Sequence, residues 1–286
     1  MRVWFWVGAC SVFASSAFAH QPVMDMAPRW SGGSGFQVRQ EYEITDEVLD
    51  GRSKAANVFN RSRRVRTTWF EGVYTFQREA RVTFKLPWID HETTSLRGGL
   101  PVRESGRGFG DLVIGVPLKR YQNERGKTRN FGLTPSLRLP TGDTGDSFPV
   151  SDGSWDAGLS FSYSSENRDF YQLWEVFYWS NGAGRRGINR GDEVGRDINL
   201  GLHPYHDVNT RSGIFTMMDI SARYEGRGQD TTGVSGGRRI TAGPVLVWYR
   251  GNFMVRGEVH FPIHERYRAT QFSRGVRVNF GAGFAF

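Results

Sequence analysis

The stretch Val276 to Phe286 alternates without a break. Val276, Val278, Phe280, Ala282, Phe284 and Phe286 share one face, and Arg277, Asn279, Gly281, Gly283 and Ala285 share the other. A two-residue period with one oily and one wet face belongs to a β-strand, because successive side chains point to opposite sides of the pleat. A chain built almost wholly of such ribbons has few ways to hide both its oily faces and its backbone polar groups. That restriction decides the fold class.

The same period recurs in about eleven earlier segments, near 34–45, 64–77, 79–90, 109–121, 130–141, 154–164, 169–181, 195–206, 213–225, 238–249 and 253–265. The third sets Val82, Phe84, Leu86 and Trp88 against Arg81, Thr83 and Lys85. The fourth changes phase between Phe109 and Leu112, Ile114, Val116 and Leu118. The seventh is aromatic on both faces. Glu175 is costly against lipid near mid-membrane, so Phe170, Trp174, Val176 and Tyr178 are assigned outward and Tyr171, Leu173, Phe177 and Trp179 inward. No segment carries a sustained helical stripe.

Short links (77–79, 122–129, 165–169, 207–212, 250–252) alternate with longer ones rich in Gly, Arg, Asp and Ser (46–63, 91–108, 142–153, 182–194, 226–237, 266–273). Trp88 and Trp155 fall at one set of segment ends, and Tyr74, Phe76, Tyr121, Tyr163 and Trp248 at the other. An outer-membrane barrel has these traits: short periplasmic turns, longer extracellular loops, two aromatic girdles and an even strand number. A soluble β-sandwich explains the alternation but neither the girdles nor the loop asymmetry. The expected fold is therefore all-β, a transmembrane antiparallel up-and-down barrel of about twelve strands in the bacterial outer membrane. Mean hydropathy is −0.49, which is compatible with this because polar lumen residues dilute the lipid-facing ones.

Met1-Arg2, an apolar run from Val3 to Phe13, and Ala17-Phe18-Ala19 read as a secretory signal over 1–19. Residues 20–33 are then a flexible periplasmic lead-in and 34–286 the barrel. Cys10 is the one cysteine, so the processed chain is expected to hold no disulfide framework and no cysteine-ligated metal. His20 would become the new N-terminus near Met24 and Met26, a set suited to soft copper or carried by chance in a tail.

The formal net charge is +8, mostly from arginine. Arg185, Arg186 and Arg190 lie in expected loops, where they are solvated or meet lipopolysaccharide phosphates. Alternation turns other charges into the lumen, Arg39, Glu71, Arg81, Arg138, Asp156, Glu175, Arg223, Arg256 and Glu258 among them, with Tyr171 and Phe177 beside them. These are the candidate permeation residues. They either select permeants by charge or pair with one another and stiffen the barrel. No nucleic-acid recognition motif is present, and an exported barrel meets no such partner. No His-Glu-x-x-His occurs, and the Gly-x-Ser-x-Gly letters at Gly233 to Gly237 fall in an expected link between two strands, not at a strand-to-helix elbow, so no catalytic residue, metal site or cofactor is assigned. His260 and His264 are expected inward about 13 Å apart. His203 and His206 are expected not to converge.

Gly108-Phe-Gly-Asp-Leu-Val-Ile-Gly and Leu133-Thr-Pro-Ser-Leu-Arg-Leu-Pro-Thr-Gly142 are similar to the outer-membrane transporter family named for the meta-pathway of phenol degradation. The resemblance implies an outer-membrane channel for small solutes, aromatic or apolar compounds among them. A terminal Phe after alternating aromatics also resembles the signal read by the barrel-assembly machinery, which implies an assembly role for Phe280, Phe284 and Phe286. A non-conducting surface barrel and a lipid-modifying enzyme are the alternatives.

Overall fold

The computed structural model describes residues 31–145, 149–185, 189–230 and 233–286. The expected signal (1–19), His20 and most of the lead-in (20–33) lie outside the described residues. The barrel strands are β1 (Ser34–Thr45), β2 (Ser62–Gln77), β3 (Ala80–Arg97), β4, β5 (Lys127–Leu139), β6 (Asp156–Asn167), β7 (Phe170–Asn181), β8 (Glu193–Asp207), β9 (Ser212–Asp230), β10 (Gly233–Arg250), β11 (Phe253–Tyr267) and β12 (Val276–Ala285). Strand β4 runs in three pieces, Leu100–Phe109, Leu112–Gly115 and Leu118–Glu124. Each strand pairs antiparallel with its neighbours in sequence, and β12 pairs with β1 from Gly35↔Ala285 to Ile44↔Val276. The twelve strands form a closed ring, so the sheet has no open edge strand to pair with water or lipid.

Closure puts the oily faces outside. Phe161, Val176, Leu246, Phe261 and Val278 are exposed around the wall, as are Phe280, Phe284 and Phe286 on or just past β12. A continuous apolar outer belt on a closed barrel is the surface of an outer-membrane protein. Two-residue turns at Arg125-Gly126 and Gly251-Asn252 close one end, with Gly126 and Gly251 at positive φ, where a side chain would strain the turn. The wider links gather at the other end, which is taken as extracellular. There the link after β1 folds into a small sheet, in which Val48–Asp50 pairs with Ser53–Lys54 and with Gln271–Phe272.

Two of the expected long links are strand. The β3–β4 hairpin turns only at Gly98-Gly99, and β9 runs to Asp230 before β10 resumes at Gly233. Beyond the lipid, backbone pairing continues while the outward residues become charged, as with Glu92 opposite Ser105 and Asp90 opposite Arg107. Hydropathy reads that change as a loop. The expected phase change in β4 is a break at Gly110 and Asp111, where Gly110 N–H donates to the Pro87 carbonyl at 2.8 Å. Tyr121 leaves the girdle expected for it. It points inward, and its hydroxyl accepts from Arg81 Nη2 at 3.1 Å.

Gly243 marks the tightest point of the wall. A Cβ there would sit 1.6 Å from the Val259 carbonyl oxygen of β11. Gly243→Ala is expected to cost about 1–3 kcal/mol through backbone displacement. A urea midpoint equal to that of the parent barrel would refute this.

Candidate functional site: the barrel lumen

Twelve strands spaced about 4.8 Å apart and tilted about 40° give a cylinder about 24 Å across between backbones. Inward side chains must therefore decide what space remains. All eleven sequence-assigned candidates take the inward phase of their strands, since their neighbours in sequence form the exposed belt. The structure does not bring them to one point. It sorts them into separate groups.

Arg39, Glu71, Arg256 and Glu258 converge on the wall formed by β11, β12, β1 and β2. Arg39 contacts Glu71 at 3.2 Å, Glu41 at 3.4 Å and Glu258 at 3.8 Å, and its guanidinium lies 5.4 Å from the Trp69 ring centre. Arg256 pairs with Glu258, and Gln37 donates to Glu71. Asn279 Nδ2 donates to Glu258 Oε1 at 2.7 Å. His260 extends the chain to Asp219 at 3.6 Å. Arg256, Glu258, Glu71, His260 and Asn279 are all buried. Gln37 and Asn279 were not singled out from the sequence, and His260 was read only for its inward phase and its distance from His264. Two are uncharged and one is a lone histidine, so only strand register reveals that they join the network.

Arg223 belongs to a second group toward the mouth. It bonds Asp197 at 2.9 Å, and Arg239 approaches Glu193 at 3.8 Å and Glu225 at 4.0 Å. Arg138 pairs with the buried Asp156 at 2.7 Å, and Asp156 also accepts from Ser154 Oγ at 2.7 Å. Phe177 and Trp179 are held flat. Phe177 covers Gly195 beneath the Arg223 guanidinium at 4.0 Å, and Trp179 covers Gly158 beneath Arg138 at 4.8 Å. The glycines let the rings lie against the wall, and the cations stack on their faces. Glu175 is in no ion pair among the described residues.

The lining of β3 to β6 is different. Thr83, Ser136, Thr134, Ser160 and Ser162 project inward there, with Gly115 and Gly132 between them, and Lys85 is exposed in the interior. These small side chains are half-buried rather than buried. They fill less of the lumen than the charged residues of the opposite wall.

Near the periplasmic end the opposite wall carries an apolar layer absent from the sequence reading. Phe215, Met217, Val245, Val247, Tyr249, Met254 and Ala285 are packed together and buried, with Tyr171 against them. Tyr171 meets Phe215 edge-on at 5.8 Å. The signal for it was two-faced apolarity in β10, where Val245 and Val247 alternate with Leu246 and Trp248. Tyr249 Oη and His203 Nε2 are hydrogen-bonded at 2.8 Å. His203 and His206 do converge, their rings stacked at 4.9 Å, because a register shift between Leu202 and Tyr205 cancels their opposite parity. His264 likewise leaves its expected inward place. A shift between Ile240 and Thr241 aligns it with the outward residues Ile240, Ala222 and Arg196.

At the mouth, Asp111 accepts from Ser151 Oγ at 2.6 Å and from Gly142 N–H at 3.0 Å, and Ser151, Asp152 and Ser154 are buried. The link after β5 is thus tied down onto the barrel. Arg274, before β12, sits 3.9 Å from Glu43, whose carboxylate raises the guanidinium pKa above its ordinary value. Arg63 bonds the same Glu43 at 3.0 Å. Among the described residues no three His, Asp or Glu side chains gather as a metal site.

Comparison with solved structures finds a COG4313 outer membrane channel from Pseudomonas putida F1, with TM-score 0.68 and 15% identity, covering 90% of this chain and 96% of that one. The translocator domain of the autotransporter NalP from Neisseria meningitidis aligns at TM-score 0.46 and 9% identity, over 90% and 89% of the two chains. Comparison with curated proteins gives no match. The first similarity shows a shared barrel fold. A family model described as "Putative MetA-pathway of phenol degradation" matches residues 33–204, more than half of the chain, and the chain therefore belongs to that family.

Proposed function

We propose that the barrel is a passive outer-membrane channel for small solutes, aromatic or apolar compounds among them. The observation that carries this reading is the uneven filling of the lumen. Bulky charged groups are paired and buried along β11 to β2, whereas the middle of the β3–β6 wall presents small side chains and an exposed Lys85. The fold shared with a protein described as an outer membrane channel supports it, as does the family's link to phenol degradation. Planar-bilayer recording and liposome swelling test it. A folded barrel that passes neither current nor solute is a surface barrel, and the channel reading ends.

Charge selection along that path falls to the exposed Lys85 rather than to Arg256, which is enclosed by its partners, or to Arg138, which is paired with Asp156. Lys85→Glu is expected to move the reversal potential toward cations, and Arg256→Glu to reduce folded yield instead. An unmoved potential for Lys85→Glu places that wall outside the conduction path.

We read the protein as non-enzymatic. His264 is the histidine on the lipid side, and its cross-strand neighbours Ile240, Ala222 and Arg196 include neither a serine nor an acid. The barrel-assembly machinery is the proposed reader of Phe280, Phe284 and Phe286, whose rings project from the outer wall. Phe286→Ala is expected to lower insertion in cells while leaving refolding in detergent intact.

A further inference from the structure

Arginine on the lipid-facing side of a barrel is unfavourable unless it lies at an interface, where its cost falls from about 2–4 kcal/mol to about 0–1. Toward the extracellular ends of β8, β10 and β11, Arg196, Arg238 and Arg266 are exposed in the outward phase, and Arg268 is exposed just past the end of β11. Arg196, Arg238 and Arg266 stand eleven to thirteen residues from the periplasmic ends of their strands, and a tilted strand crosses the hydrocarbon in about 9–11. They therefore emerge at the outer leaflet's headgroup level. Register aligns them in two cross-strand rows, Arg196–Ala222–Ile240–His264 and Val194–Tyr224–Arg238–Arg266. A shallow pocket of about 570 Å³ lies on the outer wall over these rows, bordered by Val194, Arg196, Tyr224, Arg238, Ile240 and His264, with Arg52 of the loop sheet reaching it.

Aromatic rings hold part of this patch in place. The Arg196 guanidinium lies 5.5 Å from the Trp174 ring centre, and Arg268 Nη2 donates to Tyr224 Oη at 2.7 Å. None of the four arginines is in an ion pair among the described residues. The nearby outward acid, Asp192, is engaged by Tyr178 at 2.5 Å. The corresponding outward rows on β2–β4 place acids among their arginines instead, with Asp90 between Arg66 and Arg107, Arg64 opposite Glu92, and Arg103 paired to Glu92. At headgroup height, outward arginines with no acid opposite them in register thus cluster in this sector.

We propose that this sector binds the phosphate groups of the outer leaflet's phosphorylated glycolipid, the lipid A part of lipopolysaccharide. The fit is one of charge, depth and shape. Guanidinium forks suit phosphate oxygens bidentately, the arginines lie at headgroup height, and the next row toward the bilayer, Ile198, Ile220, Ala242 and Phe261, offers an apolar track for acyl chains. A soluble anion would gain nothing from that apolar track or from the position outside the barrel.

The test uses the refolded full barrel in detergent with a metal chelator, so that divalent cations cannot bridge phosphates. Its thermal midpoint is followed while bisphosphorylated lipid A, chemically dephosphorylated lipid A or inorganic phosphate is added. The phosphorylated lipid is expected to raise the midpoint of the parent barrel, and the other two to leave it unchanged. Arg196→Gln with Arg238→Gln is expected to weaken the apparent affinity at least about tenfold, one lost charge-assisted contact being worth roughly that factor. Arg196→Lys with Arg238→Lys is expected to retain part of it, and Arg64→Gln with Arg66→Gln all of it. If the double glutamine variant fails to refold, Arg238→Gln alone carries the comparison. Equal response to dephosphorylated lipid, equal response to inorganic phosphate, or an undiminished response in the glutamine variants each overturns the proposal. Because the readout is lipid binding, it is independent of whether the lumen conducts.

Discussion

Glu258→Ala is expected to destabilise the barrel by about 3–5 kcal/mol, the cost of removing one partner from a buried charge network. Glu258 receives Arg256 and Asn279 directly and has Arg39 at 3.8 Å and His260 at 3.9 Å. Removing its carboxylate leaves Arg256, which is buried, without that acid. Arg39 fares better because it still has Glu71 and Glu41. Glu258→Gln keeps an acceptor for Asn279 and should fall between parent and alanine. Arg256→Met with Glu258→Met removes both charges at similar volume and should recover most of the loss, since a well-packed apolar pair can replace a buried ion pair at little cost. Urea unfolding of the refolded barrel in detergent measures all four proteins. A Glu258→Ala midpoint within about 0.5 kcal/mol of the parent, the range of an ordinary surface change, would mean that lumen water screens these charges and that the network is not structural.

The wall of the barrel was legible in the sequence because lipid imposes a rule that each strand must obey separately. Phe161, Leu246 and Val278 had to be apolar whatever their neighbours did, so period-two alternation gave strand phase, and in the two-faced aromatic segment Phe170–Trp179 the cost of facing Glu175 to lipid supplied it. The lumen obeys no such local rule. Arg39 pairs across β1, β2 and β11, and whether it meets Glu71 or Glu258 depends on register between strands far apart in sequence. Register also defeated the histidines. Single-residue shifts near Leu202 and Ile240 brought His206 against His203 and turned His264 outward. Extracellular height was missed for a related reason: past the headgroups, strands such as the ends of β3 and β9 no longer need an oily face, so their composition matches that of loops. The apolar layer inside was visible only as hydrophobicity on the wrong face of β10, a signal shared with an ordinary buried strand.

That layer sets the second large expectation. Phe215→Ala with Tyr249→Ala should raise single-channel conductance severalfold. The two rings sit on adjacent strands and close over the periplasmic side, where Tyr171 reaches them from β7. A pore's resistance is dominated by its narrowest section, so widening that section counts and widening elsewhere does not. In a dry core, truncating Phe to Ala costs about 3–5 kcal/mol, but here the vacated space opens onto the lumen and can fill with water, so the barrel should still refold. Phe261→Ala removes a ring of the same size from the lipid-facing wall and should leave conductance unchanged. If the double variant folds and conducts no better than the parent, the narrow point lies at the mouth. There Ser151 and Asp111 tie the link after β5 to the wall, and Ser151→Ala with Asp111→Asn would then be the change that releases it.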